Sequence, residues 1–220
     1  MKSVLFDYGG TLDSDGLTWL ERFRAIYKEA GLNAAPEALD RAFYDSDDNL
    51  PNRFALAGLG LEATLRLQVD CVLERFDRKD LTEAVVKRFT EQSRAAFARN
   101  KPVLAELAKR YRLGIVSNFY GNLESILAGE GLLPYFSVVA DSAVVGAIKP
   151  ESRIFAHALE ALQSTPEEAV MVGDSVKRDM RGAENLGMRH VLIGAHEPCC
   201  ARVTRIDRLT QLPEVLCALV

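Results

Sequence analysis

An aspartate closes the first apolar run of the chain. In "SVLFDYGGTLD", Asp7 follows residues suited to a buried strand, and Gly9, Gly10 and Thr11 come soon after it. A carboxylate so placed can act as a covalent nucleophile. A glycine turn behind it lets the backbone approach an anion. Further along, Ser117 and Asn118 end "YRLGIVSN", and Lys149 stands in "GAIKPES". Asp174 and Ser175 follow "EAVMVG", with Asp179 five residues beyond Asp174. A hydroxyl, N–H groups and a lysine can hold phosphate oxygens. Two carboxylates can hold magnesium, a hard cation that takes oxygen ligands. Such an ion also offsets repulsion between an anionic nucleophile and an anionic substrate. Singly, each of these residues reads as an ordinary cap, turn or solvated side chain. Together, at the ends of apolar runs, they point to phosphoryl transfer.

The elements that must position them are legible as short apolar runs. "SVLFD", "YRLGIVSN", "FSVVAD", "EAVMVGD" and "RHVLIG", with a short last run at "RVTRI", read as buried parallel strands. Helical spacing lies between them over 123–128, 152–162 and 176–186. In "STPEEA" Thr165 caps a short turn, with Pro166 next and Glu168 three residues after the cap. Alternating strands and helices imply an α/β fold, a doubly wound parallel sheet of Rossmann-like type. Ligands bind such sheets at the carboxyl ends of the strands, where Asp7, Ser117, Asn118, Asp174 and Ser175 fall, with Lys149 just before a helix.

Residues 15–100 read differently. "GLTWLERFRAIYKEAG", "PEALDRAFYDSD", "LEATLRLQVDCVLERF" and "LTEAVVKRFTEQSRAAFARN" are four amphipathic helical patterns, and "NLPNRFALAGLG" is expected to separate them into two pairs. The expected organisation is an α/β core over 1–14 and 101–220, with a four-helix insert after the first strand.

The totals narrow the classes. With 220 residues and 48% hydrophobic content the chain can bury a large core. Its 27 basic and 31 acidic residues leave a net charge of -4, which argues against a nucleic-acid partner. No run approaches the roughly 20 apolar residues of a membrane helix, and the amino-terminal run is too short for a signal peptide. Cys71, Cys199, Cys200 and Cys217 show no disulfide or metal spacing. That usage fits reduced thiols and a cytoplasmic protein.

These motifs resemble the haloacid dehalogenase-like hydrolase superfamily. "VLFDYGGTLD" is similar to its first motif, "IVSN" to its second, "IKPESRIF" to its third and "MVGDSVKRDMRGAENLGM" to its fourth. The resemblance runs through the α/β part and implies a magnesium-dependent phosphatase acting on a small phosphorylated substrate. It implies Asp7 as nucleophile and metal ligand, with the Gly9 carbonyl and Asp174 as further ligands. Ser117 and Lys149 would hold phosphate, with Gly10 and Asn118 in the same loops, and Asp179 and Ser175 would support the site. The helical insert matches the family's cap, which closes over small substrates.

Gly9 departs from the pattern. The family's phosphatases carry a second Asp there, which protonates the leaving oxygen and then activates water. Gly9 keeps the carbonyl and loses that group, a loss worth about 10²–10⁴-fold. Three outcomes follow: slow turnover of poor leaving groups, substitution by nearby Asp13 or Asp15, or a glycine that only serves the turn. Rival readings are haloacid dehalogenation, phosphonate hydrolysis through Lys28, Lys79 or Lys87, and a non-catalytic binding protein on the same fold.

Weaker signals complete the reading. "GLGLEA" has GxGxxA spacing without a preceding strand, so it reads as a loop rather than a dinucleotide site. His157, His190 and His196 have no evident partners. Phe23, Tyr27, Phe43 and Tyr44 are expected to form the core of the insert. Trp19, and Asn52 and Arg53 in the expected inter-helix loop, are candidates for substrate specificity.

Overall fold

The computed structural model describes residues 1–194 and 203–219. Its strands are β1 (Ser3–Phe6), β2 (Arg112–Ser117), β3 (Val138–Asp141), β4 (Ala169–Gly173), β5 (Arg189–Ile193) and β6 (Thr204–Ile206). They form one sheet in the order β3-β2-β1-β4-β5-β6, and every pair is parallel. The chain builds outward on one side of β1, then returns to build on the other. That reversal puts the ends of β1, β2 and β4 side by side, the position where open α/β sheets bind ligands.

The two faces of β1 separate the core. Val4 and Phe6 pack into a large apolar cluster that continues into the helical insert through Phe23, Leu65 and Phe89. Leu5 faces a second cluster, built with α7 (Ser152–Ala161) and α8 (Arg181–Asn185). This alternation is the period-2 rule of a strand covered on both sides.

Between β1 and β2 lie α1 (Trp19–Glu29), α2 (Pro36–Arg53), α3 (Leu61–Glu74) and α4 (Thr82–Ala108). Helix α1 begins on a capping box: Thr18 N–H donates to Glu21 at 2.8 Å, and Glu21 N–H donates to the Thr18 hydroxyl at 3.3 Å. Two expectations need correction here. Helix α2 runs through Pro51 to Arg53, so Asn52 and Arg53 form its last turn, not a loop. Helix α4 passes residue 100 without a break, and its Leu104 and Leu107 are buried in the large cluster. "GLGLEA" is loop only over Gly58, Leu59 and the cap Gly60; Leu61, Glu62 and Ala63 form the first turn of α3.

Of the remaining expected signals, the Thr165–Glu168 turn is a short 3₁₀ segment with its capping box. Residues 176–185 form a wide π-type turn, Val176–Met180, followed by α8. His196, Cys199 and Cys200 lie outside the described residues. No described helix is long and apolar enough to cross a membrane.

Candidate active site

Asp7 is reached by three donors, all on one oxygen. Its Oδ1 accepts from the Tyr8 N–H at 2.8 Å, the Ser117 hydroxyl at 2.8 Å and Lys149 Nζ at 2.7 Å. Among the described residues Oδ2 accepts no hydrogen bond. Burial raises the carboxyl, but Lys149, Arg178 and Ser117 more than offset it, so Asp7 is held below its usual range. It is therefore a carboxylate, fixed by one oxygen and free at the other.

Lys149 ties the site together. Its Nζ also donates to Asp179 Oδ1 at 2.7 Å, while Asp179 Oδ2 accepts from the Ser175 N–H at 2.9 Å. Both oxygens of Asp179 are thus in use. Burial pushes Asp179 up to about 6, with Lys149 acting against it. Asn118 clips the backbone that carries the lysine: its Oδ1 accepts from Lys149 N–H at 2.7 Å, and its Nδ2 donates to Lys149 O at 3.3 Å.

Asp174 completes an acidic group. Carboxylate oxygens of Asp7, Asp174 and Asp179 lie within 4.8 Å of one another, all buried. Burial, then Asp7 and Asp179, raise Asp174 well above its usual range. Lys149 and Arg178 act against that rise without offsetting it, and Asp174 forms no ion pair among the described residues. An all-oxygen donor set of this kind suits a hard divalent cation.

Gly10 serves this group differently than expected. Its N–H donates to Asp13 Oδ1 at 2.8 Å, so it is not available to a phosphate. It has φ +86, and a Cβ there would lie 2.4 Å from Asp174 Oδ2. Gly10 is glycine because the turn and the close Asp174 carboxylate allow nothing larger.

Gly9 has a different neighbour. A Cβ there would meet Trp19 Nε1 at 3.1 Å. The indole covers the space into which a side chain at position 9 would grow. Trp19 is held there by Asp13, whose Oδ2 accepts from Nε1 at 2.8 Å and from Arg22 Nη1 at 2.6 Å. Asp13 is thus consumed in a fully buried ion pair and cannot serve as a replacement acid. Asp15 is also committed, to Arg99 at 2.7 Å and to the Leu209 N–H at 3.1 Å.

Above these residues is a cavity of about 200 Å³. Asp7, Gly9, Ser117, Asn118, Lys149 and Asp174 line its floor, and Trp19 lines its side. Asn52 and Arg53 do not line it; Arg53 instead pairs with Glu74 at 3.5 Å. Lys28, Lys79, Lys87, His157 and His190 also lie off the cavity, and Lys79 pairs with Glu74 at 2.8 Å. Phe23 and Tyr27 are buried in the insert as expected, whereas Tyr44 is 53% exposed and lines the cavity.

Several lining residues were missed by reading the sequence. Arg178 lies within the fourth motif, where the acids carry the recognisable chemistry and the arginine gives no signal of its own. Asp47, Thr18, Phe119 and Tyr120 carry no motif signal at all. Asp141, at the end of β3, holds the loop after β2 through the Gly121 and Leu123 N–H groups at 2.8 and 3.2 Å.

The family model described as haloacid dehalogenase-like hydrolase matches residues 1–187. The chain belongs to this family. A bovine haloacid dehalogenase-like hydrolase domain-containing protein 3 is 31% identical, over 83% of this chain and 76% of its own. A phosphoserine phosphatase of Thermus thermophilus is 32% identical, over 87% of this chain and 81% of its own. The crystal structure of a HAD phosphatase from Thermococcus onnurineus is 28% identical with a TM-score of 0.57, covering 98% of each chain. A 2-haloacid dehalogenase from Pseudomonas syringae pv. Tomato shares the fold at 22% identity, with a TM-score of 0.59 and full coverage of both chains. The chain is a haloacid dehalogenase-like hydrolase.

Proposed function

We propose that this hydrolase is a magnesium-dependent phosphatase that cleaves a small phosphomonoester by way of a phosphoryl group carried on Asp7. The observation that carries this reading is the divided use of the Asp7 carboxylate, with Oδ1 held by three donors and Oδ2 left without one. Oδ2 attacks phosphorus, the bond from phosphorus to the leaving oxygen breaks, and an aspartyl-phosphate forms. Water then attacks that phosphorus, releasing phosphate and restoring the carboxylate. The Ser117 hydroxyl turns from Asp7 to a phosphate oxygen, Lys149 gives its remaining N–H to another, and Asn118 and Asp179 fix the position of Lys149.

Asp7, Asp174 and the Gly9 carbonyl would hold the magnesium ion. When bound, it supplies positive charge that offsets repulsion between carboxylate and phosphate. The four helices over 15–100 act as the cap that excludes water and holds the leaving group. Position 9 supplies no acid, so turnover depends on how well the alcohol leaves, and the aspartyl-phosphate outlives that of an enzyme with the full acid/base pair. Relatives named as phosphatases support this chemistry. The cytoplasmic setting implied by the cysteine usage belongs to the same reading.

The test is to mix enzyme, magnesium and p-nitrophenyl phosphate, quench in acid within one turnover, and map the phosphorylated peptide by mass spectrometry. Phosphate on the peptide that contains Asp7 is expected. Burst release of nitrophenol with no phosphorylated peptide would contradict the mechanism.

A further inference from the structure

The wall of the cavity opposite the acids is aromatic. Trp19 packs edge-on to Phe119 with ring centroids 5.9 Å apart, and Phe119 lies 4.7 Å from Tyr120. In the other direction Trp19 contacts Phe23, which contacts Phe43, which contacts Tyr44, at 6.2, 5.6 and 5.6 Å. Five of these rings line the cavity. Such a wall favours a flat organic group over an aliphatic or strongly hydrated one.

One charged group interrupts it. Asp47, on α2, lines the cavity and is half-buried. The Tyr120 hydroxyl and Gln68 Nε2 both donate to its Oδ1, the latter at 3.4 Å. Among the described residues its Oδ2 accepts no hydrogen bond. Arg178 lines the same cavity, but it makes no ion pair with Asp47 among the described residues and donates instead to the Ser175 hydroxyl at 3.3 Å. The arrangement repeats that of Asp7: one oxygen is fixed by the protein, and the other is left to a ligand. Burial raises the Asp47 carboxyl, with the Tyr120 hydroxyl acting against it. A donor from a ligand would relieve that cost.

We propose that Asp47 sets leaving-group specificity, selecting phosphate esters whose organic part is flat and carries an amino or other N–H donor that reaches Oδ2 while the ring lies against Trp19 and Phe119. The proposal rests on the phosphatase reading and names the class of ester within it. Asp47 takes no part in the chemistry at phosphorus. Its alternative role is structural, since the Tyr120 contact joins α2 to the loop after β2.

A matched pair of esters separates these roles. Kcat/KM is measured for 4-(aminomethyl)phenyl phosphate and for 4-methylphenyl phosphate, which differ by the donor, with p-nitrophenyl phosphate as a reference. Wild type should prefer the amine. In Asp47→Asn that preference, with each rate taken relative to p-nitrophenyl phosphate, should fall about 10- to 100-fold, the worth of a hydrogen bond to a charged group. Tyr120→Phe, which cuts the structural contact and leaves the carboxylate, should keep most of the preference. An equal ratio in wild type and Asp47→Asn, or loss of the ratio in Tyr120→Phe alone, would overturn the proposal. Titration of both esters against the fluorescence of Trp19, the chain's one tryptophan, gives the same comparison without turnover. Failure of wild type to hydrolyse any ester would contradict the phosphatase reading. Intact p-nitrophenyl phosphate turnover with no amine preference would contradict only the role of Asp47.

Discussion

The floor and the side wall of the cavity are built by different rules. The floor is charged and cross-linked: Lys149 bridges Asp7 and Asp179, and Asn118 holds Lys149, which leaves Asp7 Oδ2 open. The wall contributed by the insert is aromatic, with one carboxylate, Asp47. The floor stands at strand ends in a rigid sheet, where side-chain positions follow from strand register. The wall stands partly on the helices α1 and α2, where identity depends on which face turns inward, and partly on the loop after β2, which carries Phe119 and Tyr120. On the proposed reading, the difference assigns reaction type to the sheet and choice of ester to the wall. Between the two regions lies the buried Asp13–Arg22 pair, which joins the turn after β1 to α1.

The comparison can be broken most severely from the floor. Lys149→Met removes the cation shared by two buried carboxylates. Initial-rate kinetics should show kcat lower by about 10²–10³-fold, as for loss of a preorganised donor. A comparable kcat would show that Lys149 is only structural. The junction comes next. Arg22→Met leaves Asp13 buried without its charge partner and also cuts contacts to Phe89 O and Ser93 Oγ. Urea unfolding should register a loss of about 3–5 kcal/mol.

Smaller effects sharpen the account. Gly10→Ala should press on Asp174 and weaken magnesium binding roughly 10- to 100-fold, read by calorimetry. A smaller change would mean that Asp174 moves aside without cost. Gly9→Asp alone should fail to restore acid catalysis, because its Cβ meets Trp19. It should also lower stability by about 1–3 kcal/mol by disturbing the Trp19–Asp13 hydrogen bond. A gain in rate on poor leaving groups by this single change would show that the indole yields easily.

Much of the floor was legible in the sequence because buried parallel strands are continuous apolar runs, and the residues after them fall at one edge of the sheet. Asp7, Ser117 and Asp174 are legible in this way, whereas Lys149 and Asp179 are legible through the motifs that resemble the family's. The role of Gly10 was not, since its N–H is taken by Asp13, a contact that depends on the path of the turn. The wall was far less readable. Asp45, Asp47 and Asp48 look alike in "FYDSDDNL", and only the contact with Tyr120, 73 residues on, singles out Asp47. "NLPNRFALAGLG" is expected to be a loop, yet α2 continues through Pro51 to Arg53. That misplaced Asn52 and Arg53, and helical periodicity alone gave no correction. Tyr44 was grouped with the buried aromatics because spacing shows an apolar face, not where that face meets a cavity.

The most direct test of the central claim is hydrolysis of p-nitrophenyl phosphate with and without magnesium, by wild type and by Asp7→Asn. Nitrophenol is a good leaving group, so the missing acid at position 9 should matter little. The account predicts turnover only when magnesium and Asp7 are both present. Full activity in Asp7→Asn, or activity indifferent to magnesium, would contradict it.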